Sequence, residues 1–152
     1  MIQLRETVNL PHDYSIDQDF TTSGEAESGF LPGGVGWYRK TFVVPKKYQE
    51  KQLMIEFDGA YMNAEVYLNG TKLGEHPYGY TAFAFDLTEG LICDGETENV
   101  LVVKTNNKIP SSRWYSGSGI YRDVKLTVTD KVHVGYNGTK IIAKDLENTK
   151  GQ

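Results

Sequence analysis

Residues 52–74, QLMIEFDGAYMNAEVYLNGTKLG, decide the fold class of this sequence. Within them, residues 52–58 place Leu53, Ile55 and Phe57 on one side of the chain. Apolar side chains that recur with a period of two are typical of a β-strand with one buried face. The first part of the stretch therefore predicts a strand rather than a helix.

The second part of the stretch predicts a hairpin. Two short candidate strands, 62–68 and 72–74, flank the sequence Asn69-Gly70-Thr71. An Asn-Gly pair readily adopts the positive φ angles that a tight hairpin turn requires at both central positions. We therefore expect the two segments to pair as antiparallel neighbours.

The same alternation recurs along the chain, whereas helical periodicity does not. No stretch sustains apolar residues at i, i+3, i+4 and i+7 for three turns, and Gly or Pro interrupts most windows. The one helical indication is a turn around Leu87–Leu91. Many short strands separated by turns predict an all-β fold, an antiparallel β-sandwich of the jelly-roll or a related Greek-key type. The other candidate strands are 37–44, 79–86, 98–105, 121–128 and 131–136.

Composition excludes several classes of protein. A chain of 152 residues with 39% hydrophobic and 24% charged residues is typical of one globular domain. The net charge of −4 argues against nucleic acid and anionic membranes as partners. No apolar run approaches the roughly 20 residues of a membrane helix, and no signal-peptide region follows Met1, which favours a cytoplasmic location. A single Cys excludes an internal disulfide and a cysteine-based zinc site.

The segment 106–120, NNKIPSSRWYSGSGI, is too long and too polar for a simple hairpin turn. Loops of this length are uncommon without a function. Arg113, Trp114 and Tyr115 combine a planar cation with two aromatic faces, and sugars stack on such faces and accept hydrogen bonds from arginine. Alternatively, the two aromatic residues close the end of the sandwich while Arg113 pairs with an acid.

The remaining reactive residues carry weaker signals. Cys93 lies far in sequence from His12, His76 and His133, so a small core residue is favoured over a nucleophile–base pair. The three histidines lack metal-ligand spacing, so we predict neither a metal site nor a cofactor. In the Pro-His-Asp turn, we expect His12 to stabilise the turn and Asp13 to accept hydrogen bonds from backbone amides rather than act as a base.

Five segments follow one another along the chain: LPHDY at 10–14, GGVGWYRKTF at 33–42, FDGAYMNAEVYLNG at 57–70, PYGYTAFAFDLT at 77–88 and SSRWYSGSGIYRDV at 111–124. Together they resemble the N-terminal sugar-binding domain of glycoside hydrolase family 2, especially that of its β-galactosidases. The resemblance covers roughly residues 4–130 and implies a jelly roll of the galactose-binding-domain type. In the family this domain precedes an immunoglobulin-like sandwich and a (β/α)₈ barrel.

The resemblance also implies what this chain does not contribute. Family members hydrolyse β-glycosides with retention through two barrel glutamates, so we assign no catalytic residue here and expect the isolated chain to be inactive. In several relatives the loop before the Ile-Tyr-Arg-Asp strand lines the sugar site at the barrel mouth. Some carry an aspartate where this chain has Arg113, so the ion contact of those relatives is not transferred. Arg113, Trp114 and Tyr115 are the predicted substrate-binding residues.

Two functions remain open at this stage. The chain is either the N-terminal module of a retaining β-galactosidase, with carbohydrate and the catalytic barrel as its partners, or a free-standing carbohydrate-binding module. Within the first function, a β-glucuronidase or β-mannosidase is the alternative. Residues 1–130 are predicted to form the sugar-binding domain, and 131–152 to form a linker and the start of a truncated immunoglobulin-like domain.

Overall fold

The computed structural model describes residues 6–110 and 114–143. This part of the chain is built from strands and three single turns of 3₁₀ helix, at Ala26–Ser28, Lys46–Tyr48 and Thr88–Gly90. The last turn lies within the helical turn predicted around Leu87–Leu91. The strands are β1 (Gly34–Val43), β2 (Gln52–Phe57), β3 (Ala64–Leu68), β4 (Thr71–His76), β5 (Phe83–Asp86), β6 (Glu98–Asn107) and β7 (Val124–Thr129).

The strands form two antiparallel sheets. One sheet has four strands in the order β1-β6-β3-β4, and the other has three in the order β5-β2-β7. Only β3 and β4 are both consecutive in sequence and paired, so the other pairings all join distant parts of the chain. The prediction of an all-β antiparallel sandwich of jelly-roll type is confirmed.

The apolar core lies between the two sheets. Along β2 the side chains of Leu53, Ile55 and Phe57 are buried, whereas the residues between them are only partly covered. The strand β6 alternates in the same way, with Leu101 and Val103 on its buried face. Because each sheet has one apolar face, the two sheets bury these faces against each other.

The predicted hairpin is present. Asn69 and Gly70 have φ angles of 49° and 86°, the left-handed conformation that this turn requires. The Asn69 side chain also ties the turn to the rest of its sheet, since its Nδ2 donates to Asn99 Oδ1 and its Oδ1 accepts from the Val100 amide. Asn99 is fully buried, and both of its amide atoms bond to the backbone of Ile92. These bonds satisfy a polar group that would otherwise destabilise the core.

One predicted strand is wrong. Residues 131–136 form bends and the start of a turn rather than a strand, and Val132 and Val134 are largely exposed. Alternating apolar residues form a strand only where a neighbouring strand takes up their backbone hydrogen bonds, and here β7 ends at Thr129 without such a continuation. The candidate strand 79–86 is shorter than predicted, since β5 begins at Phe83. Within the described ranges no helix is long and apolar enough to cross a membrane.

Replacement of Phe57 tests the core. Phe57 is fully buried and stacks on Phe83 with 4.9 Å between the ring centroids. We expect Phe57→Ala to lower the free energy of unfolding by about 3–5 kcal/mol, because the cavity cannot close completely. Urea denaturation measures the change. The matched control is Phe20→Ala at a side chain that is 77% exposed, which should change the free energy by less than about 0.5 kcal/mol. Equal losses for the two variants would contradict this placement of the core.

Candidate functional site

The site predicted from the sequence lies where β6 ends and the chain leaves the sheet. Asn107, the last residue of β6, pairs with Gly34, the first residue of β1. The returning segment 116–120 is held from two sides by backbone hydrogen bonds. Three of these bonds are His12 N–H to Ile120 O (2.8 Å), Tyr14 N–H to Ser118 O (2.9 Å) and Tyr61 N–H to Gly119 O (2.8 Å).

Asp13 joins the N-terminal segment to this loop. Its Oδ1 accepts a hydrogen bond from the Ser15 amide at 2.9 Å and another from the Ser118 amide at 2.9 Å. Its Oδ2 accepts a hydrogen bond from the Tyr115 hydroxyl at 3.2 Å. Hydrogen bonds to a charged acceptor are stronger than those between neutral groups. The prediction that Asp13 accepts hydrogen bonds from backbone amides is therefore confirmed, although one of those amides lies 105 residues away.

A cluster of buried hydroxyl and amide groups lies beneath Asp13. Ser15 Oγ donates to Ser118 Oγ at 2.6 Å, and Asn107 Nδ2 donates to the same Ser118 oxygen at 2.8 Å. All three residues are buried. These bonds connect the N-terminal segment, the end of β6 and the loop to one another, while the Asn107 Oδ1 atom is buried without a hydrogen-bond partner among the described residues.

Gly119 allows the loop to approach β1 closely. Its φ of 116° is available to glycine but strained for other residues, and a Cβ atom there would overlap the Tyr38 hydroxyl. The Tyr38 hydroxyl also lies 2.8 Å from His12 Nδ1, and burial raises the pKa of Tyr38 above its ordinary value. His12 Nε2 in turn lies 3.1 Å from Asp17. His12 therefore connects the N-terminal segment to Tyr38 on β1 and to Asp17.

Trp114 is part of an aromatic cluster at this end of the sandwich. Its Nε1 donates to the Tyr80 hydroxyl at 2.8 Å, and 59% of the residue is exposed. The Tyr80 ring contacts the rings of Tyr61 and Tyr78 edge-on, with centroid distances of 5.2 and 5.6 Å. The Tyr121 hydroxyl donates to the Gly79 carbonyl and holds the segment that carries Tyr78 and Tyr80. The cluster thus presents aromatic faces to solvent on a support of fixed hydrogen bonds.

The three predicted substrate-binding residues differ in where the structure places them. Arg113 lies outside the described residues. Trp114 and Tyr115 are both exposed, but they bond to different parts of the fold, Trp114 to Tyr80 and Tyr115 to Asp13. Burial and the negative charge of Asp13 raise the pKa of Tyr115, so its hydroxyl stays protonated and donates its hydrogen to Asp13.

Sequence reasoning did not identify Tyr80 or Tyr61 as members of the site. Both lie in segments that carried the family resemblance, but nothing local distinguishes a tyrosine in a core from one that supports a loop aromatic. Asp13, which accepts a hydrogen bond from Tyr115, was predicted only to accept hydrogen bonds from backbone amides. A search for aromatic residues close in sequence to the loop would also have missed Tyr80, since 34 residues separate it from Trp114.

The other reactive residues do not form a site. Cys93 is partly buried against the apolar core, and burial raises the pKa of its thiol, which agrees with its interpretation as a structural residue. Across residues 6–110 and 114–143, no three His, Cys, Asp or Glu side chains converge as metal ligands. Exposed aromatic faces beside a fixed carboxylate and hydroxyls suit the binding of a polyhydroxylated ligand better than nucleophilic chemistry.

A family model described as the sugar-binding domain of glycosyl hydrolases family 2 matches residues 13–130. The chain belongs to this family. The match contains both the Asp13 contacts and the aromatic cluster. The resemblance noted in the sequence is therefore confirmed.

Several relatives of this family 2 domain are similar over nearly its whole length. A β-galactosidase of Bacteroides ovatus is 50% identical over 92% of the chain, and a β-glucuronidase of Formosa agariphila is 35% identical over 85%. Among solved structures, a β-glycosidase from Bacteroides vulgatus is 44% identical over 85% of the chain with a TM-score of 0.77. The chain spans only 17%, 15% and 17% of these three proteins.

Removal of the Asp13 carboxylate tests how this family 2 domain holds its loop. We expect Asp13→Ala to lower the free energy of unfolding by about 1.5–3 kcal/mol, because the Ser15 and Ser118 amides lose a charged acceptor. The pKa of Tyr115 should fall toward its ordinary value, since a neighbouring negative charge is removed while part of the burial remains. Urea denaturation and an NMR titration of labelled tyrosine measure the two effects.

The control for this replacement is Asp17→Ala. The Asp17 carboxylate is exposed and contacts only His12 among the interactions described, so its removal should change the free energy by less than about 0.5 kcal/mol. If Asp13→Ala is no more destabilising than Asp17→Ala, then Asp13 does not hold the loop.

Proposed function

We propose that this domain is the N-terminal module of a retaining β-glycosidase, with a β-galactoside as its substrate. In this proposal the domain supports a catalytic barrel and borders the substrate pocket with the loop that contains Arg113, Trp114 and Tyr115. Residues 1–130 form the sugar-binding domain, and residues 131–152 lead into an immunoglobulin-like domain. Its partners are thus the barrel and the carbohydrate substrate, and the domain itself supplies no catalytic residue.

The observation that carries the proposal is the fixed aromatic surface at the loop end of a family 2 sugar-binding domain. A contiguous group of exposed apolar residues often marks a surface that contacts a ligand or another domain. Here Trp114 and Tyr115 are exposed, and each is oriented by a hydrogen bond, to Tyr80 and to Asp13. A binding surface whose side chains are already ordered loses less entropy when a ligand binds.

The sequence identity to named relatives favours a β-galactoside as the substrate. The protein with 50% identity is named as a β-galactosidase, whereas a Formosa agariphila protein named "Putative beta-glucuronidase" is 39% identical over 96% of the chain. A solved family 2 β-glucuronidase, with a TM-score of 0.75 and 33% identity, keeps the glucuronide as a second candidate substrate.

Replacement of the loop side chains tests the proposed pocket. In the protein that carries this domain together with its barrel, we expect Trp114→Ala to lower kcat/KM for an aryl β-galactoside about tenfold. Arg113→Ala should lower it roughly ten- to a hundredfold, since a charge-assisted hydrogen bond contributes about 1.5–3 kcal/mol. Steady-state kinetics and thermal unfolding are measured for each variant, and Tm should change little because exposed side chains contribute little to stability.

The control is Ile92→Ala. Ile92 is also partly exposed, but it lies beside Asn99 at the opposite end of β6 from the loop, so kcat/KM should not change. If both loop variants unfold several degrees lower while kcat/KM stays intact, the loop closes the end of the sandwich instead of lining a pocket.

The isolated 152-residue chain provides a second test. We expect no turnover of an aryl β-galactoside, because the resemblance assigns both catalytic glutamates to the barrel. The assay compares purified chain with buffer at equal substrate concentration. Turnover that persists through purification and is abolished by replacing one of this chain's own carboxylates would show that the domain is itself catalytic.

A further inference from the structure

Two aromatic rings form a surface on the outer face of the four-stranded sheet, away from the core. Trp37 on β1 and Tyr67 on β3 lie on either side of β6. Strands in a sheet are 4.7–4.9 Å apart, so β1 and β3 are about 9.5 Å apart. The ring centroids are only 6.4 Å apart, with 34° between the ring planes, so the two rings lean toward each other over β6. More than half of Trp37 is exposed, at 54%.

Charged side chains hold these rings in place. Lys104 Nζ lies 5.7 Å from the centre of the Trp37 ring and bonds to Glu65 Oε1 at 2.5 Å. The Tyr67 hydroxyl donates to Glu65 Oε2 at 2.6 Å, and Lys72 Nζ lies 3.2 Å from the same oxygen. The bond from Lys104 is the main reason that the pKa of Glu65 is lowered to about 2, so this carboxylate stays ionised. We call Trp37, Tyr67, Lys104 and Glu65 the outer platform.

The charges around the outer platform nearly cancel. Lys72 and Lys104 face Glu65 and Glu75, and the exposed Arg39 on β1 adds one cation. Nucleic acid requires a concentrated basic surface, which is not present here. The central part of a protein–protein interface is depleted of Lys and Glu, whereas these residues directly border both rings. A neutral ligand with many hydroxyl groups fits both the aromatic faces and the charged hydrogen-bonding groups beside them.

We propose that the outer platform is a second carbohydrate-binding site, for a neutral oligosaccharide. A pyranose ring stacks on the exposed part of Trp37, while its hydroxyls donate to Glu65 and accept from Lys104. The site lies on the face of the sheet, not at the loop end where Trp114 is found. It would hold a polysaccharide chain against the domain.

Fluorescence separates the two sites, because the chain contains only two tryptophans, Trp37 and Trp114. In a Trp114→Phe chain all tryptophan emission comes from Trp37. We expect titration with β-1,4-galactotetraose or cellotetraose to change this emission and to saturate.

Tyr67→Ala in the same background should weaken binding at least tenfold, since it removes half of the aromatic surface. The matched control is Tyr136→Ala at a partly exposed tyrosine outside the platform, which should leave binding unchanged. Circular dichroism confirms that each variant is folded.

Three results would contradict the proposal that the outer platform binds a carbohydrate. The first is the absence of a saturable change in Trp37 emission at millimolar tetrasaccharide, and the second is equal binding by the Tyr67→Ala and Tyr136→Ala chains. The third is oxidation of Trp37, located by peptide mass spectrometry, in the isolated chain but not in the longer protein, which would mean that another domain covers the platform. A Trp37→Phe chain reports on Trp114 alone, so failure at one site is distinguished from failure at the other.

Discussion

The loop end of this domain depends on the hydrogen bonds that the Asp13 carboxylate accepts. This carboxylate accepts hydrogen bonds from the Ser15 and Ser118 amides and from the Tyr115 hydroxyl, and so links two segments about a hundred residues apart. A neutral side chain of similar size would satisfy fewer of these donors and bind them less strongly. Because Ser118 also bonds to Ser15 and Asn107 in the interior, one carboxylate at the surface and a polar cluster below it together fix the position of the loop.

This arrangement explains how exposed aromatic residues are kept in defined positions. Trp114 and Tyr115 are adjacent in sequence, yet one bonds to Tyr80 and the other to Asp13. The two anchors belong to different parts of the fold, so the loop is held at two points rather than hinged at one. In the proposed function, this order reduces the entropy that the side chains lose when a sugar binds at this end of the domain.

The loop-end aromatic residues and the outer platform are positioned for different structural reasons. At the loop end, the aromatic side chains lie on irregular segments and depend on hydrogen bonds from β6 and the N-terminal region. On the outer face of the four-stranded sheet, Trp37 and Tyr67 lie on regular strands, and their positions follow from the register of β1, β6 and β3. The first surface can vary with loop sequence, whereas the second is as rigid as the sheet itself.

The sequence by itself determined the all-β class, strand β2 and the β3–β4 hairpin, because alternation along 52–58 and the Asn69-Gly70 pair act through dihedral preferences and burial over a few residues. It also determined the family, through five ordered segments. The tertiary structure alone decided which strands pair, and therefore that Trp37 meets Tyr67 across β6 and that Tyr80 supports Trp114. It also decided that 131–136 is not a strand, although its side chains alternate. A strand needs a partner for its backbone hydrogen bonds, and which distant segment supplies that partner is fixed only when both sheets close over a common core.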